Sequence, residues 1–267
     1  MIIERTYELL NSVYKTGFSD LTIDDLRIGQ FLTAVRLSDG TVGTASSLED
    51  DHPFCTKQQR DFGEFTPLKI KGRSIRQLFE SEKDSRLMFS LRMACLNAAS
   101  SRIISSGKYT IVENSDPLDI IALGNDRDIT VVGAFQSYIR KISQSDNRLH
   151  VLELNENALR PEQKQFYVPA DNYSEVIPKS DIVIITGQTL VNDTLENLLS
   201  VTGRDSTVVV TGPTGSMLPD VLFEKGVSII GATRITKPEL VFEVVGQAGL
   251  AYHMFEYCAQ KICILKG

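Results

Sequence analysis

Short, nearly continuous runs of β-branched residues recur through the second half of the chain. Strands buried on both faces have this pattern, because helices cover a parallel sheet on both sides. Helical spacing separates several of the runs, as in QSYIRKISQ and in Leu190–Val201. This order predicts a Rossmann-like open α/β domain, whose ligands bind at the carboxyl ends of the strands. The runs are Asp128–Phe135, Leu149–Asn155, Asp181–Gly187, Ser206–Gly212 and Val227–Ala232.

The first half of the chain has a different pattern. An amphipathic N-terminal segment precedes three short strand-like segments, and Asp39-Gly40 marks a hairpin turn between the second and third of them. Helical patterns follow at Ser74–Glu82 and Arg86–Ile104. We therefore predict an α/β protein, with a compact α+β domain followed by a Rossmann-like three-layer α/β domain that has a mostly parallel sheet. The two predicted domains span residues 1–112 and 113–267.

Composition narrows the classes of partner. The 267-residue chain has a formal net charge of −6, which argues against a nucleic-acid or anionic-membrane surface, because phosphate binding needs clustered Lys and Arg. The N-terminus carries charges within its apolar periodicity and is not a signal peptide, and no apolar run approaches the ~20 residues of a membrane span. The four cysteines form no CxxC pair, so we expect reduced thiols and a cytoplasmic location. A homodimer is left open.

The segment Ser206–Gly226 contains the most informative candidate site. A strand ends there in GPTGS, and helical spacing begins near Met217. A small-residue turn of this kind lets a ligand reach backbone N–H groups at a helix N-terminus, where the helix dipole favours negative charge. The residues predicted to contact a ligand are Gly212, Pro213, Thr214 and Ser216.

Two more glycine loops end strands of the same predicted sheet. Glu153 stands near the end of the strand between them, where nucleotide-binding folds place a ribose-binding acid. The first loop lacks two glycines of the dinucleotide fingerprint, so a packing role for Gly133 and an exposed strand-end charge at Glu153 stay open. Glycine loops at one sheet edge predict a cleft. The loop residues assigned to ligand binding are Gly133, Ala134, Phe135, Gly187 and Gln188.

Metal binding and catalysis have fewer candidates. His52 and Cys55 lie in the acidic segment Leu48–Lys57, and imidazole, thiolate and carboxylate groups suit a transition metal. Their spacing matches no known ligand pattern, so a solvated turn is the alternative. Asn97 interrupts a helix of apolar residues, and its amide needs a backbone or ligand partner. Three histidines without an elbow motif support no Ser–His–Asp triad, so no catalytic residue is assigned.

These segments resemble a prokaryotic family of unknown function for which heavy-metal chelation is the suggested role. VVVTGPTGSMLPDVLFEKGVSIIGATRI looks like its C-terminal signature, IDDLRIGQFLTAVRLSDGTVGTA like its opening hairpin region, and MACLNAAS like its helix signature. The resemblance implies a domain similar to the N-terminal domain of enolase, a Rossmann-like domain, and an active site in the cleft between them. By these motifs, the resemblance implies that Asn97, Gly133, Phe135, Gly212, Pro213 and Thr214 are the residues of that site.

Three functions follow from these observations. The first is a protein that binds or processes a small molecule or metal chelate in the cleft between the domains, with a transition or heavy metal ion as the cofactor to consider. The second is a nucleotide-cofactor enzyme, dependent on S-adenosylmethionine or NAD, that uses Gly133 and Glu153. The third is direct metal binding through His52 and Cys55. Whether the protein is an enzyme stays open, and neither nucleic acid nor a membrane is an expected partner.

Overall fold

The computed structural model describes residues 1–14, 17–47, 63–83 and 85–267. Its N-terminal part is a small antiparallel sheet with helices on it. The strands occur in the order β1-β2-β3, and the predicted Asp39-Gly40 turn joins β2 to β3. Gly40 has a φ of 84°, which glycine adopts without steric cost. The elements are α1 (Ile2–Val13), β1 (Ile23–Ile28), β2 (Leu32–Leu37), β3 (Val42–Ser46), α2 (Ile75–Glu80) and α3 (Arg86–Ile104).

Helix α3 lies at the centre of this part. It contacts β2, β3 and α1, so apolar residues are buried around much of its circumference. Gly43 on β3 permits the close approach of α3, because a Cβ there would lie 2.2 Å from the Ala98 nitrogen. Ser74 and Ser85 cap α2 and α3 through hydrogen bonds to backbone N–H groups. The N-terminal elements predicted from the sequence are confirmed.

The remainder of the chain forms a large sheet with helices on it. Six strands run parallel in the order β7-β6-β5-β8-β9-β10, which is the 3-2-1-4-5-6 order of the doubly wound nucleotide-binding fold. Its strands are β4 (Thr110–Glu113), β5 (Asp128–Val132), β6 (Arg148–Glu153), β7 (Tyr167–Pro169), β8 (Ile182–Thr186), β9 (Thr207–Thr211), β10 (Ile229–Ile235) and β11 (Ala259–Leu265). Its helices are α4 (Pro117–Ile120), α5 (Gln136–Ile142), α6 (Tyr173–Val176), α7 (Leu195–Ser200), α8 (Asp220–Glu224), α9 (Pro238–Gly246) and α10 (Ala251–Tyr257).

Two antiparallel strands extend the parallel sheet beyond β10. β11 pairs with β10 on one side and with β4 on the other, both antiparallel. The fold class is therefore confirmed: a mixed α/β protein with a mostly parallel sheet of eight strands, among the described residues, and a smaller antiparallel sheet. The predicted division at residues 112 and 113 stays a prediction, and it falls within β4.

The two parts share a hydrophobic core. Residues of α1, α3 and the small sheet pack with residues of β8, β9 and α8 in a single buried cluster. The opposite face of the small sheet, with Leu32 and Ala34, packs on α9 and α10. The small sheet is therefore buried on both faces, against α3 of its own part on one side and against α9 and α10 of the large domain on the other.

Several local predictions differ from the structure. The helix expected over Leu190–Val201 begins only at Leu195, after a 3-10 turn at Gly187–Leu190. The helix expected near Met217 begins at Asp220, because Pro213–Gly215 form a 3-10 turn and Pro219 stands immediately before the first helical residue.

Candidate functional site

The Gly212–Ser216 turn connects β9 to the following segment. Gly212 has a φ of 118° and a ψ of 162°, a backbone conformation restricted almost entirely to glycine. Its N–H donates to the Gly231 carbonyl, while those of Gly215 and Ser216 donate within the turn. These three N–H groups are therefore already engaged, and α8 begins only at Asp220. Binding of a ligand by the backbone of this turn stays a prediction.

One side of this turn is buried against the N-terminal part, in a contact that we call the seam. The Thr214 hydroxyl accepts a hydrogen bond from the Ser46 N–H and donates to the Ser46 hydroxyl, both at 2.9 Å. The Asn97 amide nitrogen lies within hydrogen-bonding distance of the carbonyls of Thr44, Pro213 and Thr214, at 2.7, 3.2 and 3.0 Å. Asn97 and Thr214 therefore join β3, α3 and the turn by polar contacts within the protein.

The other side of the turn lines a groove of about 760 Å³. This groove lies beside the carboxyl ends of β5 and β9, and β10, β11 and α10 complete it. Gly231 lies in its floor, where a Cβ would lie 2.3 Å from the Thr211 hydroxyl and 2.6 Å from a Pro117 ring carbon. Four of the residues predicted from the sequence line the groove: Ala134, Phe135, Gly212 and Pro213.

Polar groups converge at one end of the groove. The Asp116 carboxylate accepts hydrogen bonds from the Tyr138 hydroxyl at 2.5 Å and from Lys261 Nζ at 2.7 Å. Burial raises the pKa of Tyr138, and the hydrogen bond to Asp116 raises it further, so the phenol stays protonated. Thr233 Oγ1, in the same wall, is buried without a hydrogen-bonding partner among the described residues.

Apolar and aromatic side chains form the rest of the groove. The rings of Phe135 and Tyr138 stack with their centroids 5.2 Å apart. Leu250 and Tyr252 stand at the start of α10 and remain 36% and 60% exposed. Lys261 Nζ lies 5.5 Å from the centroid of the Phe255 ring, within range of a cation–π contact. A ligand there would meet ring faces and a compensated ion pair.

A second, smaller cavity occupies the switch point of the sheet, between β5 and β8, and we call it the crevice. It measures about 180 Å³, and Gly133, Glu153 and Gln188 line it. Gly133 has a φ of 102°, and a Cβ there would lie 3.1 Å from the Thr186 side chain. This close contact is compatible with the packing role that was the alternative to ligand binding. The Glu153 carboxylate accepts hydrogen bonds from the N–H groups that follow it in its own loop.

The predicted ligand-binding residues are divided among the groove, the crevice and the seam, with Gly187 and Ser216 as exceptions. Asn97 and Thr214 lie in the seam. Gly187 is buried against the turn, where a Cβ would lie 2.8 Å from the Gly215 nitrogen. The Ser216 hydroxyl is buried and accepts from the Thr233 N–H. The predicted ligand contacts remain predictions.

Sequence reasoning missed several residues of the groove. Asp116 was recognisable only as the N-cap of α4, since Pro117 follows it. Tyr138 and Lys261 carried no motif, and Tyr252 was one more aromatic residue in a helical segment. Asp116 lies shortly after β4, and Lys261 lies on β11 next to β10, whereas Tyr138 and Tyr252 lie within α5 and α10, away from any strand end.

The metal candidates gain no support from the part of the chain that is described. His52 and Cys55 lie outside the described residues. Within the described ranges, no group of three or more His, Cys, Asp and Glu side chains is placed to hold a metal ion. Burial raises the pKa of Cys263 to about 11, so this side chain is a thiol at neutral pH. No helix in these ranges has the length and apolar character to cross a membrane.

Family models match both parts of the chain. The model of the DUF364 family, described as "Putative heavy-metal chelation", covers residues 116–264, more than half of the sequence. The chain belongs to this family. A second model with the same description, DUF4213, covers residues 12–100. No curated protein matches the sequence.

Two solved structures of DUF364 proteins share the whole fold. A protein with unknown function from Pyrococcus horikoshii is 20% identical, with a TM-score of 0.79 over 100% of both chains. A protein with unknown function from Desulfitobacterium hafniense DCB-2 is also 20% identical, with a TM-score of 0.75 over 99% of both chains. At this identity, the likeness establishes the shared architecture of this DUF364 protein.

Proposed function

We propose that this DUF364 protein binds a small planar organic molecule, free or as a metal chelate, in the groove beside the Gly212–Ser216 turn. One observation carries the proposal: ring faces and an ion pair with protonated hydrogen-bond donors meet in one concave site. This site lies at the carboxyl edge of the sheet, where ligands of open α/β folds bind. Its volume of about 760 Å³ falls in the range of roughly 300–1,000 Å³ that small-molecule sites occupy.

The family description of heavy-metal chelation is compatible with this site if the organic ligand supplies the donors to the metal. Asp116 is the carboxylate of the groove, and its oxygens already accept from Tyr138 and Lys261. The described residues of the groove therefore do not fit a bare metal ion. A chelate presents planar rings and an outer surface of hydrogen-bonding groups, which match the aromatic wall and the donors. The protein would supply the shape of the site and the second layer of hydrogen bonds.

The test uses planar bidentate chelators as probes, for example 8-hydroxyquinoline and picolinate, each alone and as its nickel(II) complex. Thermal unfolding of the wild-type protein should shift upward with at least one probe. A ligand at a hundred times its dissociation constant stabilises by about 2.7 kcal/mol. The shift should vanish in Phe135→Ala and in Tyr252→Ala. Tyr257→Ala is the matched control, because Tyr257 is a similarly exposed tyrosine of α10 outside the groove. An equal shift in Tyr252→Ala and Tyr257→Ala would contradict the assignment.

A nucleotide cofactor in the crevice is the second candidate. It is favoured by the switch-point location and by Glu153 at the end of β6, the position of a ribose-binding acid. The crevice, at about 180 Å³, is smaller than the usual range for ligand sites, which is why we rank it second. If this candidate is correct, NAD(H) or S-adenosylmethionine at millimolar concentration should raise the unfolding temperature. The rise should fall in Glu153→Gln and persist in Glu156→Gln, which alters a neighbouring exposed carboxylate.

A further inference from the structure

A third cavity, of about 460 Å³, adjoins the groove at the first turn of α5. Gln136 and Ser137 line both cavities, so a ligand seated in the groove can extend past these two side chains into the neighbouring space. The exposed residues Arg140 and Arg160 also line this third cavity, which we call the arginine shelf. Arg140 follows Gln136 by four positions, so both lie on the same face of α5.

The shelf carries positive charge that the described part of the protein does not neutralise by a direct contact. Neither the Arg140 nor the Arg160 guanidinium forms an ion pair or side-chain hydrogen bond with another described residue, whereas Arg148 and Arg234 each pair with a carboxylate. Glu162 is the acidic side chain among the shelf residues and offsets part of this charge. A pair of guanidinium groups suits a carboxylate or phosphate, whose oxygens accept paired N–H bonds.

The groove itself offers no such preference for anions. Its ammonium group, on Lys261, is held at 2.7 Å by Asp116, and these charges compensate each other. A ligand that filled only the groove would therefore be selected by shape and hydrogen bonding. Selection by charge would come from the shelf.

Gln136 gives an independent sign of a ligand at the junction of the two cavities. Its Nε2 donates to the Ala158 carbonyl at 2.9 Å, and since a carbonyl only accepts, this contact fixes the orientation of the amide. The other end, Oε1, is buried and has no hydrogen-bonding partner among the described residues. Buried acceptors are normally satisfied, and a rotation of the Gln136 side chain that turned this oxygen toward the cavities would let an N–H or O–H group of a ligand satisfy it.

We infer that the ligand of the groove is an anion: a planar, largely apolar molecule with a carboxylate or phosphate that Arg140 and Arg160 bind, and with a donor for Gln136 Oε1 between them. The inference rests on the proposed function, because it requires the planar part to occupy the groove. It adds the chemical class of the ligand and the residues that select this class.

Binding of three matched probes to the protein tests this inference by titration calorimetry. The probes are 2-naphthoate, 2-naphthyl phosphate and the neutral amide 2-naphthamide. We expect at least one anion to bind wild-type protein tenfold or more tightly than the amide. In Arg140→Gln/Arg160→Gln that anion should bind no more tightly than the amide, whose own affinity stays within twofold of wild type. The anion with the larger loss identifies carboxylate or phosphate as the preferred group.

A matched double variant controls for net charge. Arg127→Gln/Arg204→Gln removes the same two positive charges from exposed positions outside both cavities. It should leave the affinity of the anion unchanged, and an equal loss in both double variants would overturn the inference, since only the overall field would then matter. Equal affinity of anions and amide for the wild type would overturn the inference and leave the groove in place. If no probe binds the wild type, the proposed function fails, and the inference fails with it.

Discussion

The two sides of the Gly212–Ser216 turn differ in what they contact, although a few residues separate them. On the side of the seam, Asn97 and Thr214 are buried and form hydrogen bonds to backbone groups of β3 and of the turn. On the side of the groove, Gly212 and Pro213 face a concave surface that also includes the half-buried Phe135 and the exposed Tyr252. One short segment thus holds the two parts of the protein together and also forms a wall of the candidate site. Substitutions should separate these roles, with stability affected on one side and binding on the other.

The largest loss of stability is expected from Asn97→Ala. Its amide nitrogen serves three carbonyls of the seam, and removing it leaves buried acceptors without a donor. We expect the free energy of unfolding to fall by about 3 kcal/mol, a sum of lost hydrogen bonds and a cavity, measured by urea denaturation. Asn197→Ala is the control, because Asn197 is exposed on α7 and should change stability by less than about 0.5 kcal/mol. Equal losses in the two variants would show that the seam does not depend on this amide.

Thr214→Val should have the next largest effect. The substitution keeps the shape of the side chain but removes the hydroxyl, which leaves the buried Ser46 N–H without its acceptor. The expected cost is roughly 1–3 kcal/mol of unfolding free energy. Thr214→Ser keeps the hydroxyl and should cost less than the valine substitution in the same denaturation experiment. The reverse order would mean that packing of the methyl group, and not the hydrogen bond, stabilises the seam.

Gly212→Ala should affect both sides of the turn at once. The nearest non-neighbouring atom to a Cβ would be 3.9 Å away, so the substitution is limited by the φ of 118° and not by space. Strain of this kind costs roughly 1–3 kcal/mol, and we place this variant near the lower end because the turn can relax toward the open groove. Its binding of the chelator probes should also weaken. Unchanged stability together with unchanged binding would argue against a fixed turn.

The smallest change in stability is expected from Tyr252→Ala. The side chain is 60% exposed, so its removal should alter the free energy of unfolding by no more than about 0.5 kcal/mol. Binding of the chelator probes should nevertheless fall. Substitutions in the seam should instead lower stability. A loss of stability as large as that of Asn97→Ala would remove the distinction between the two sides.

Much of the fold followed from local sequence patterns. Val/Ile runs marked the central strands because their burial on both faces requires apolar residues at every position. The Asp39-Gly40 turn identified the hairpin between β2 and β3 because few other dipeptides adopt its backbone conformation. The short strands β4 and β7 lie at the edges of the sheet and are partly exposed, so neither carries this signal.

The candidate site was less predictable, since its contacts join distant parts of the chain. Glycine loops at strand ends located the carboxyl edge of the sheet correctly. The partners of Asn97 are carbonyls 53 to 117 positions away, and no local pattern encodes such contacts. Asp116 and Lys261 are 145 positions apart and meet only because β11 lies between β10 and β4.

The position of β11 also has a consequence for how the protein folds. Residues 259–265 insert between β10 and β4, so the large sheet cannot close until the late and early segments of the chain meet. Contacts of such long sequence separation form slowly, because the intervening loop must first lose its conformational entropy. β10 can pair with β11 early, because these strands are close in sequence, but until β11 meets β4 the facing edges of β11 and β4 stay unpaired, which favours aggregation. The Lys261–Asp116 ion pair spans the same junction, so the groove acquires it, and with it part of its capacity to recognise a ligand, only when these two segments have met.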